Sequence, residues 1–521
     1  MKAHLKRAAF GFFLIALVTS LPAQTLFQST IMRDYRENSS RKPSPDRVGI
    51  ATLERAIENT DKEDLTRIVD TEALEVFLLP SMTYASWNSH LPYGDRDGSL
   101  WQGRGANVAF TTGAFARGNW WSLTLSPELS IAENRNFPLG PSGFSDNPYG
   151  HVTTTIDYPQ RMGATTWKGV GFGQTEARLY WKNLTLGVGW QNIVLGPAVV
   201  NPLTLSENSA GFPHVDFGIL PANTRIGTIE TRAIWGRLTE SVAYDEDPAN
   251  DHTYLSILSF YYRPIWFPML TVGANRTVAV NQQSANSRFL WQVFDPRPRG
   301  GNRSSGDPVY GTDEVDQMIS IIAEISLPEA GFRGYLEWGC EDFASNLLSL
   351  IQIPYHSAAW TAGAEQRFLD TQHGELIGLI EFTRTLQSRN YFLDGQYSKS
   401  AFYNHHYVRH GHTHNGQLLG APAGPGTEGG SLRFRWKSSS YQAEFFFDRY
   451  AVNADYVYAN STTLNRSNLD TEMATGLAWE QDMGAFRFRV EGAFVNRSGF
   501  NYESSAVRNN VWLATTVTYG L

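Results

Sequence analysis

From Leu79 onward the chain alternates apolar and polar residues over stretch after stretch of roughly 8–12 residues. Successive side chains of a strand point to opposite faces, so each stretch predicts a strand with one apolar and one polar side. Three stretches show this best. In residues 484–494, Phe486, Phe488, Val490 and Phe494 oppose Arg487, Arg489 and Glu491. In 431–437, Leu432, Phe434 and Trp436 oppose Arg433, Arg435 and Lys437. In 441–448, Tyr441, Ala443, Phe445 and Phe447 oppose Gln442, Glu444 and Asp448. A transmembrane strand needs about 9–11 residues, which fits. A soluble sandwich carries the same alternation, so the pattern leaves both architectures open.

Turn lengths separate them. Tight turns fall at Arg117-Gly118, near Asn183, at Trp266-Phe267-Pro268, Pro328-Glu329-Ala330, Ser438-Ser439 and Gln481-Asp482-Met483. Long segments lie between them, at 132–173, 281–314 and 387–428. Short turns at one end and long loops at the other belong to outer-membrane barrels. The obvious strands number about 17, and up–down parity then fails between Trp190 and Arg225. Adding residues 214–219 as a strand, with a turn at Pro221-Ala222-Asn223, restores parity and makes about 18, an even number. The expected fold is all-β: a transmembrane antiparallel β-barrel of about 18 strands over residues 79–521, with a small N-terminal helical segment before it.

That helical segment occupies residues 24–78. Ser44 with Pro45 reads as an N-cap and first helical position, and Thr60-Asp61-Lys62-Glu63 as a capping box. They predict helices over 45–59 and 61–74 on the periplasmic side; a loosely ordered leader is the other reading. Residues 1–23 read as an export signal peptide: Lys2, Lys6 and Arg7, an apolar run over 8–19, then Leu21-Pro22-Ala23. At the far end Val511, Leu513, Val517, Tyr519 and Leu521 share a face, as expected of a terminal strand recognised by the outer-membrane assembly machinery.

Composition changes this picture only in part. Charged residues are 18% and aromatics 13%, which suits a barrel in outer-membrane lipid better than a soluble domain. A net charge of −8 opposes nucleic-acid binding, which needs a basic face. The one cysteine, Cys340, forms no internal disulfide and shares a face with Leu336 and Trp338.

One stretch interrupts the alternation. Residues 184–190 alternate, then Pro197, Pro202 and Pro213 exclude a central strand, and Asn192, Asn201, Asn208 and Gly211 favour turns. Alternation resumes at Val215, Phe217 and Ile219. A rigid Asn/Pro-rich loop is therefore held between two strands. The segment GWQNIVLGPAVVNPLTLSENSAGFPHVDFG (189–218) resembles the signature of the Wzi family of outer-membrane capsule-assembly proteins. LPYGDRDGSLWQGRGAN (91–107) and GHTHNGQLLGAPAGPGTEG (411–429) resemble it too, in the same order. One departure is that the family often carries further tryptophans just before the Gly-Pro that here follows Ile193-Val194-Leu195. The resemblance implies an 18-stranded barrel in the cell outer membrane and a surface lectin that binds and organises capsular or other exopolysaccharide.

The residues allow that chemistry. Sugar sites place flat rings against C–H faces and polar groups against hydroxyls. Tyr93, Trp101, Trp167, Trp291, Tyr391, Tyr403 and Tyr407 fall in expected outer segments, where each also suits a membrane-interface girdle. The polysaccharide-binding candidates are Asp95, Asp97, Trp101, Arg104, Asn192, Asn201, Asn208, Tyr407, His412 and His414. His412-x-His414 also has metal-ligand spacing, but few acids and no cysteine join it, so no metal or cofactor is expected. Expected inward charges of both signs, among them Glu176, Arg178, Glu230, Arg232, Glu365, Glu381, Arg433 and Glu444, suit a braced and blocked lumen rather than a selective pore. No Gly-x-Ser-x-Gly, His-Glu-x-x-His or P-loop occurs, so no enzyme is expected. A passive porin is the alternative function, and a hydrolase built from loop Asp and His residues a third.

Overall fold

The computed structural model describes residues 49–52, 56, 66–94, 98–245, 247–248, 250–295, 315–341, 357–387, 402–461 and 463–520. Eighteen antiparallel strands, each bonded to its neighbour in sequence, form one closed barrel. The first, Leu74–Asn88, pairs with the last, Val507–Tyr519, with Trp512 opposite Asn88 and Tyr519 opposite Ser81. Closure leaves no unpaired edge, which a membrane would not tolerate. Among the described residues no helix is long and apolar enough to cross a membrane; the strands cross it.

The alternation sorts as polarity demands. Phe486, Phe488, Val490 and Phe494 are exposed on the outer wall, as are Phe434, Val511, Leu513 and Tyr519. Their neighbours point inward and pair: Arg435 with Glu444 at 2.8 Å, Arg433 with Asp448 at 2.8 Å, Arg489 with Glu491 at 2.6 Å. Two strands are broken in the middle. Trp121–Leu125 and Glu128–Ala132 flank Pro127, which has no N–H for the ladder, and Trp167–Gly171 and Glu176–Trp181 follow the same break.

Parity holds because the strand expected at 214–219 exists. It runs His214–Asn223, so its turn lies at 224–226, beyond Pro221-Ala222-Asn223. The turn expected at 481–483 shifts likewise, to Gly484-Ala485, because Thr471–Met483 stays in the ladder to its last residue.

The N-terminal helices need correction where the chain is described. Ile50–Ala51 is a strand, not helix, and pairs with Val194–Leu195 inside the barrel. Arg67–Asp70 is also a strand, paired with the start of Leu74–Asn88, where a helix over 61–74 was expected. β-Branched Ile68 and Val69 suit a strand, and the barrel begins before residue 79. Ala56 N–H does bond Thr52 O at 3.1 Å, one helical contact. The remaining expected helical positions, and the signal peptide, lie outside the described residues.

The lumen is full. Residues 191–213, the Asn/Pro-rich loop, fold back into the barrel with nearly every residue buried. A buried irregular segment must find a partner for each backbone N–H. Prolines 197, 202 and 213 have none to satisfy. Val199, Val200 and Asn201 N–H all donate to the Glu381 carboxylate, at 2.8, 3.0 and 2.7 Å. Leu203 N–H donates to Glu337 at 3.1 Å and Gly196 N–H to Gly49 O at 3.1 Å. Gly196 has φ +96°, and a Cβ there would lie 3.0 Å from the Glu337 carboxylate. Around these bonds Ile50, Leu195, Leu205, Phe212, Leu238, Leu255 and Ile257 form an apolar core. Burying each such side chain contributes about 1.5–3 kcal/mol.

Candidate functional site

The long loops cap this plug at one end of the barrel. Residues 402–427 lie directly on it. Tyr403 OH donates to Leu203 O at 2.8 Å, His412 Nε2 sits 2.7 Å from Thr204 O, and Ser206 Oγ donates to Gly420 O at 2.7 Å. Residues 133–166 tie in beside them. Asp157 N–H donates to His410 O at 3.1 Å, and its carboxylate accepts from Ser241 N–H and Oγ, both at 2.6 Å. Burial pushes the Asp157 carboxyl up to about 7.

Between these loops and the barrel wall a cleft of about 280 Å³ remains. Tyr93, Trp101, Tyr158, Tyr450 and Tyr502 supply rings to its lining; Gln160, Asn453, Asp470, Glu472 and Arg497 supply polar groups. Arg497 holds Asp470 through both carboxylate oxygens, at 2.7 and 3.0 Å. The wall residues stand on the inward face at the long-loop ends of Tyr441–Ala451, Thr471–Met483 and Phe486–Ser498. Rings beside paired acid and base are the groups needed to stack on a sugar and bind its hydroxyls.

The expected site residues divide. Trp101, Asn201 and Asn208 line the cleft. Trp101 is half-buried, and its Nε1 donates to Asn134 at 3.2 Å. Arg104 stands nearby and donates to the carbonyls of Ser89 at 3.2 Å and Asn136 at 2.5 Å. Asn201 is 1% exposed, and its side chain is taken by Glu381, Tyr450 and Ala423 N–H. Asn192 is buried away from the cleft against Gln174 and Ser209. His412 and His414 are also buried. His412 stacks on Tyr403 at 5.6 Å, and His414 Nδ1 accepts from Thr239 N–H at 3.0 Å. Burial holds them neutral, down to about 4 and about 3. Both histidines therefore brace the cap, and their polar atoms bond this chain, which corrects their reading as sugar ligands. Tyr407 is exposed but does not line the cleft. Asp95 and Asp97 lie outside the described residues.

Other ring candidates also moved. Tyr403 is fully buried. Trp291 is 71% exposed, on a segment that folds over the outer wall, where Trp235 Nε1 donates to Leu290 O at 3.2 Å. Tyr391 lies outside the described residues. Missed from the sequence were Arg497, Asp470, Glu472, Tyr158 and Tyr502. The available signal was a run of inward polar residues at the loop ends of three consecutive strands.

Ligand-type atoms of Glu176, His214 and Asp216 gather within 4.8 Å of one another in the lumen. Arg178 bonds both acids and Arg232 approaches Asp216 at 3.4 Å, so two guanidinium charges there oppose a metal cation.

The family model described as capsule assembly protein Wzi matches residues 80–439. Among solved structures, Wzi of Escherichia coli, an outer-membrane protein involved in group 1 capsule assembly and described as a carbohydrate-binding β-barrel, shares 12% identity. The match covers 96% of this chain and 99% of that one, at a TM-score of 0.61. Pseudomonas aeruginosa OprD matches at 9% identity, over 86% and 94% of the two chains, with a TM-score of 0.41. Acinetobacter baumannii OccAB2 matches at 11% identity, over 84% and 97%, with a TM-score of 0.40. No curated protein sequence matches.

Proposed function

The chain belongs to the Wzi capsule-assembly family, an outer-membrane barrel family, and from that premise we propose that it is a surface lectin that binds and organises capsular or other exopolysaccharide. The observation that carries this reading is the aromatic and polar cleft among loops capping a filled barrel. No bond is made or broken. A polymer of repeating sugars engages the cleft and the neighbouring loop surface by many weak contacts, which add to retention. Trp101 and Arg104 remain part of the proposed contact surface, together with Asp95 and Asp97, which precede them closely in sequence. The export signal over 1–23 and the assembly machinery that would recognise the strand Val507–Tyr519 belong to the same proposal.

Purified protein probed against arrayed bacterial surface polysaccharides tests it. Saturable binding, weakened about tenfold or more by Trp101→Ala or Arg497→Gln, is the expected result, since a lost stacking or charged hydrogen-bonding contact is worth about 1–3 kcal/mol. A folded protein that binds no glycan would sink the lectin reading.

A further inference from the structure

A second concavity lies on the opposite side of the wall, facing the bilayer. It measures about 690 Å³ and opens at the long-loop ends of Gly374–Arg384, Glu428–Lys437 and Tyr441–Ala451. Large side chains such as Phe382, Ile380, Phe434 and Phe445 stand on the outward face around it. Here Gly430 carries none and Ala451 a methyl. A Cβ at Gly430 would meet the Phe382 ring at 2.7 Å, so that ring lies against bare backbone. Phe382 and Ile380 form one wall, and Leu432 and Phe447 the other. Tyr458, from the short helix Ala454–Ala459, and Leu469 close the outer end.

We propose that this groove seats an acyl chain of the phosphorylated glycolipid of the outer leaflet, with Arg449 on its phosphate. Two observations support it. The groove is continuous with the lipid-facing belt: Phe382 is 51% exposed, Ile380 43% and Leu477, three strands on, 65%. Its occupant is therefore drawn from the bilayer. Exposed Arg449 lines the same groove two residues before the long-loop end of Tyr441–Ala451, the end at which a headgroup would meet a basic side chain. Glu428 lines the groove too, but its carboxylate lies 3.5 Å from Arg384 Nε, so two guanidinium groups stand there against one carboxylate, and an apolar slot beside that net positive charge fits an acylated anion. The site is separate from the sugar cleft, which opens on the inner side of the wall and meets it back to back at Tyr441–Ala451. A polysaccharide receptor fastened to the surface glycolipid would hold its mouth at a set height above the leaflet.

The test uses full-length protein in detergent, stripped of lipid and then incubated with diphosphoryl lipid A, dephosphorylated lipid A or phosphatidylethanolamine. Bound lipid is counted by native mass spectrometry. Wild type should retain diphosphoryl lipid A at least fivefold better than either other lipid. Ala451→Phe, which fills the slot from the lipid side, should lower that retention at least tenfold. Arg449→Gln should lower it at least fivefold, while dephosphorylated lipid A is held as before. Heat-modifiable migration shows that each variant is folded. Equal retention of all three lipids by wild type, or unchanged retention by folded Ala451→Phe, overturns the proposal. So does a lipid-free dimer that Ala451→Phe breaks, because a second copy of the chain would then own the groove.

Discussion

Glu381 gathers three consecutive backbone N–H groups of the plug and the Tyr335 hydroxyl, the latter at 2.6 Å. Removing it leaves all four donors buried without their acceptor. Glu381→Ala should therefore destabilise the protein by about 3–5 kcal/mol, and Glu381→Gln, which keeps one acceptor oxygen, by less. Urea unfolding followed by tryptophan fluorescence measures both. The cap makes a second prediction. Burial holds His151, His410 and His412 near 4 and His414 near 3, against about 6.5 in an unfolded chain. The unfolded chain binds more protons between those values, so stability contributed above pH 6.5 is lost as pH falls toward 4. Asp157, raised to about 7, acts in the opposite sense, because its folded form takes the proton first as pH falls. Glu240, raised to about 9, acts with Asp157. The histidine contribution is therefore read from a variant: the wild-type urea midpoint should fall more, or rise less, between pH 7.5 and pH 5 than that of His412→Asn. Equal pH dependence in the two proteins would contradict a neutral, buried His412. Trp101 lines the cleft at the mouth, and its contact with sugar, like that of Arg104, belongs to the proposal. Sequence alone reads His412 and His414 as exposed polar loop residues, whereas their ring nitrogens face Thr204 O and Thr239 N–H, far away in sequence.

Strands and loops differ in how much of their fate is local. Alternation in Phe486–Ser498 needs no partner to be recognised, because period 2 and polarity alone decide which side faces lipid. The plug was recognisable as a rigid loop, through its three prolines and its asparagines, but its inward fold was not. That depends on Glu337 and Glu381, more than a hundred residues further on, and on Ile50–Ala51 from the other direction. The short strands Ile50–Ala51 and Arg67–Asp70 were missed for the same reason: cap-like residues nearby favoured helix, and pairing partners in the barrel overrode that preference. If residues 402–427 clamp the plug, replacing them with a Gly/Ser linker should leave a heat-modifiable barrel. Residues 191–213 should then become cleavable by added protease. Resistance equal to wild type would show that the plug stands without its clamp.

Taken whole, the molecule is a barrel whose inside is a protein core. Apolar residues of the plug and wall occupy the middle, ion pairs brace the rest, and the loops lie over one mouth. Such a lumen should pass little steady current in a planar bilayer, and a variant lacking residues 191–213 should conduct. Porin-sized steady conductance from the intact protein would favour the channel reading over the lectin. Because the bracing pairs are buried, salt should change unfolding little; a strong salt dependence would place the stabilising charges at the surface.

Residue order was enough to establish an all-β barrel, its strand number through parity, the end that bears the long loops and the family it resembles. Each of these follows from local periodicity, turn chemistry or a contiguous motif. The filling of the lumen, the shape of the cleft, the burial of the histidines and the slot beside Gly430 arise where segments distant in sequence meet, tens of residues apart at the slot and more than a hundred at the plug. Local polarity carries no record of those meetings, since a polar side chain suits water and a buried hydrogen-bond partner equally well. Only the closed barrel, by setting which strands and loops stand opposite one another, chooses between the two.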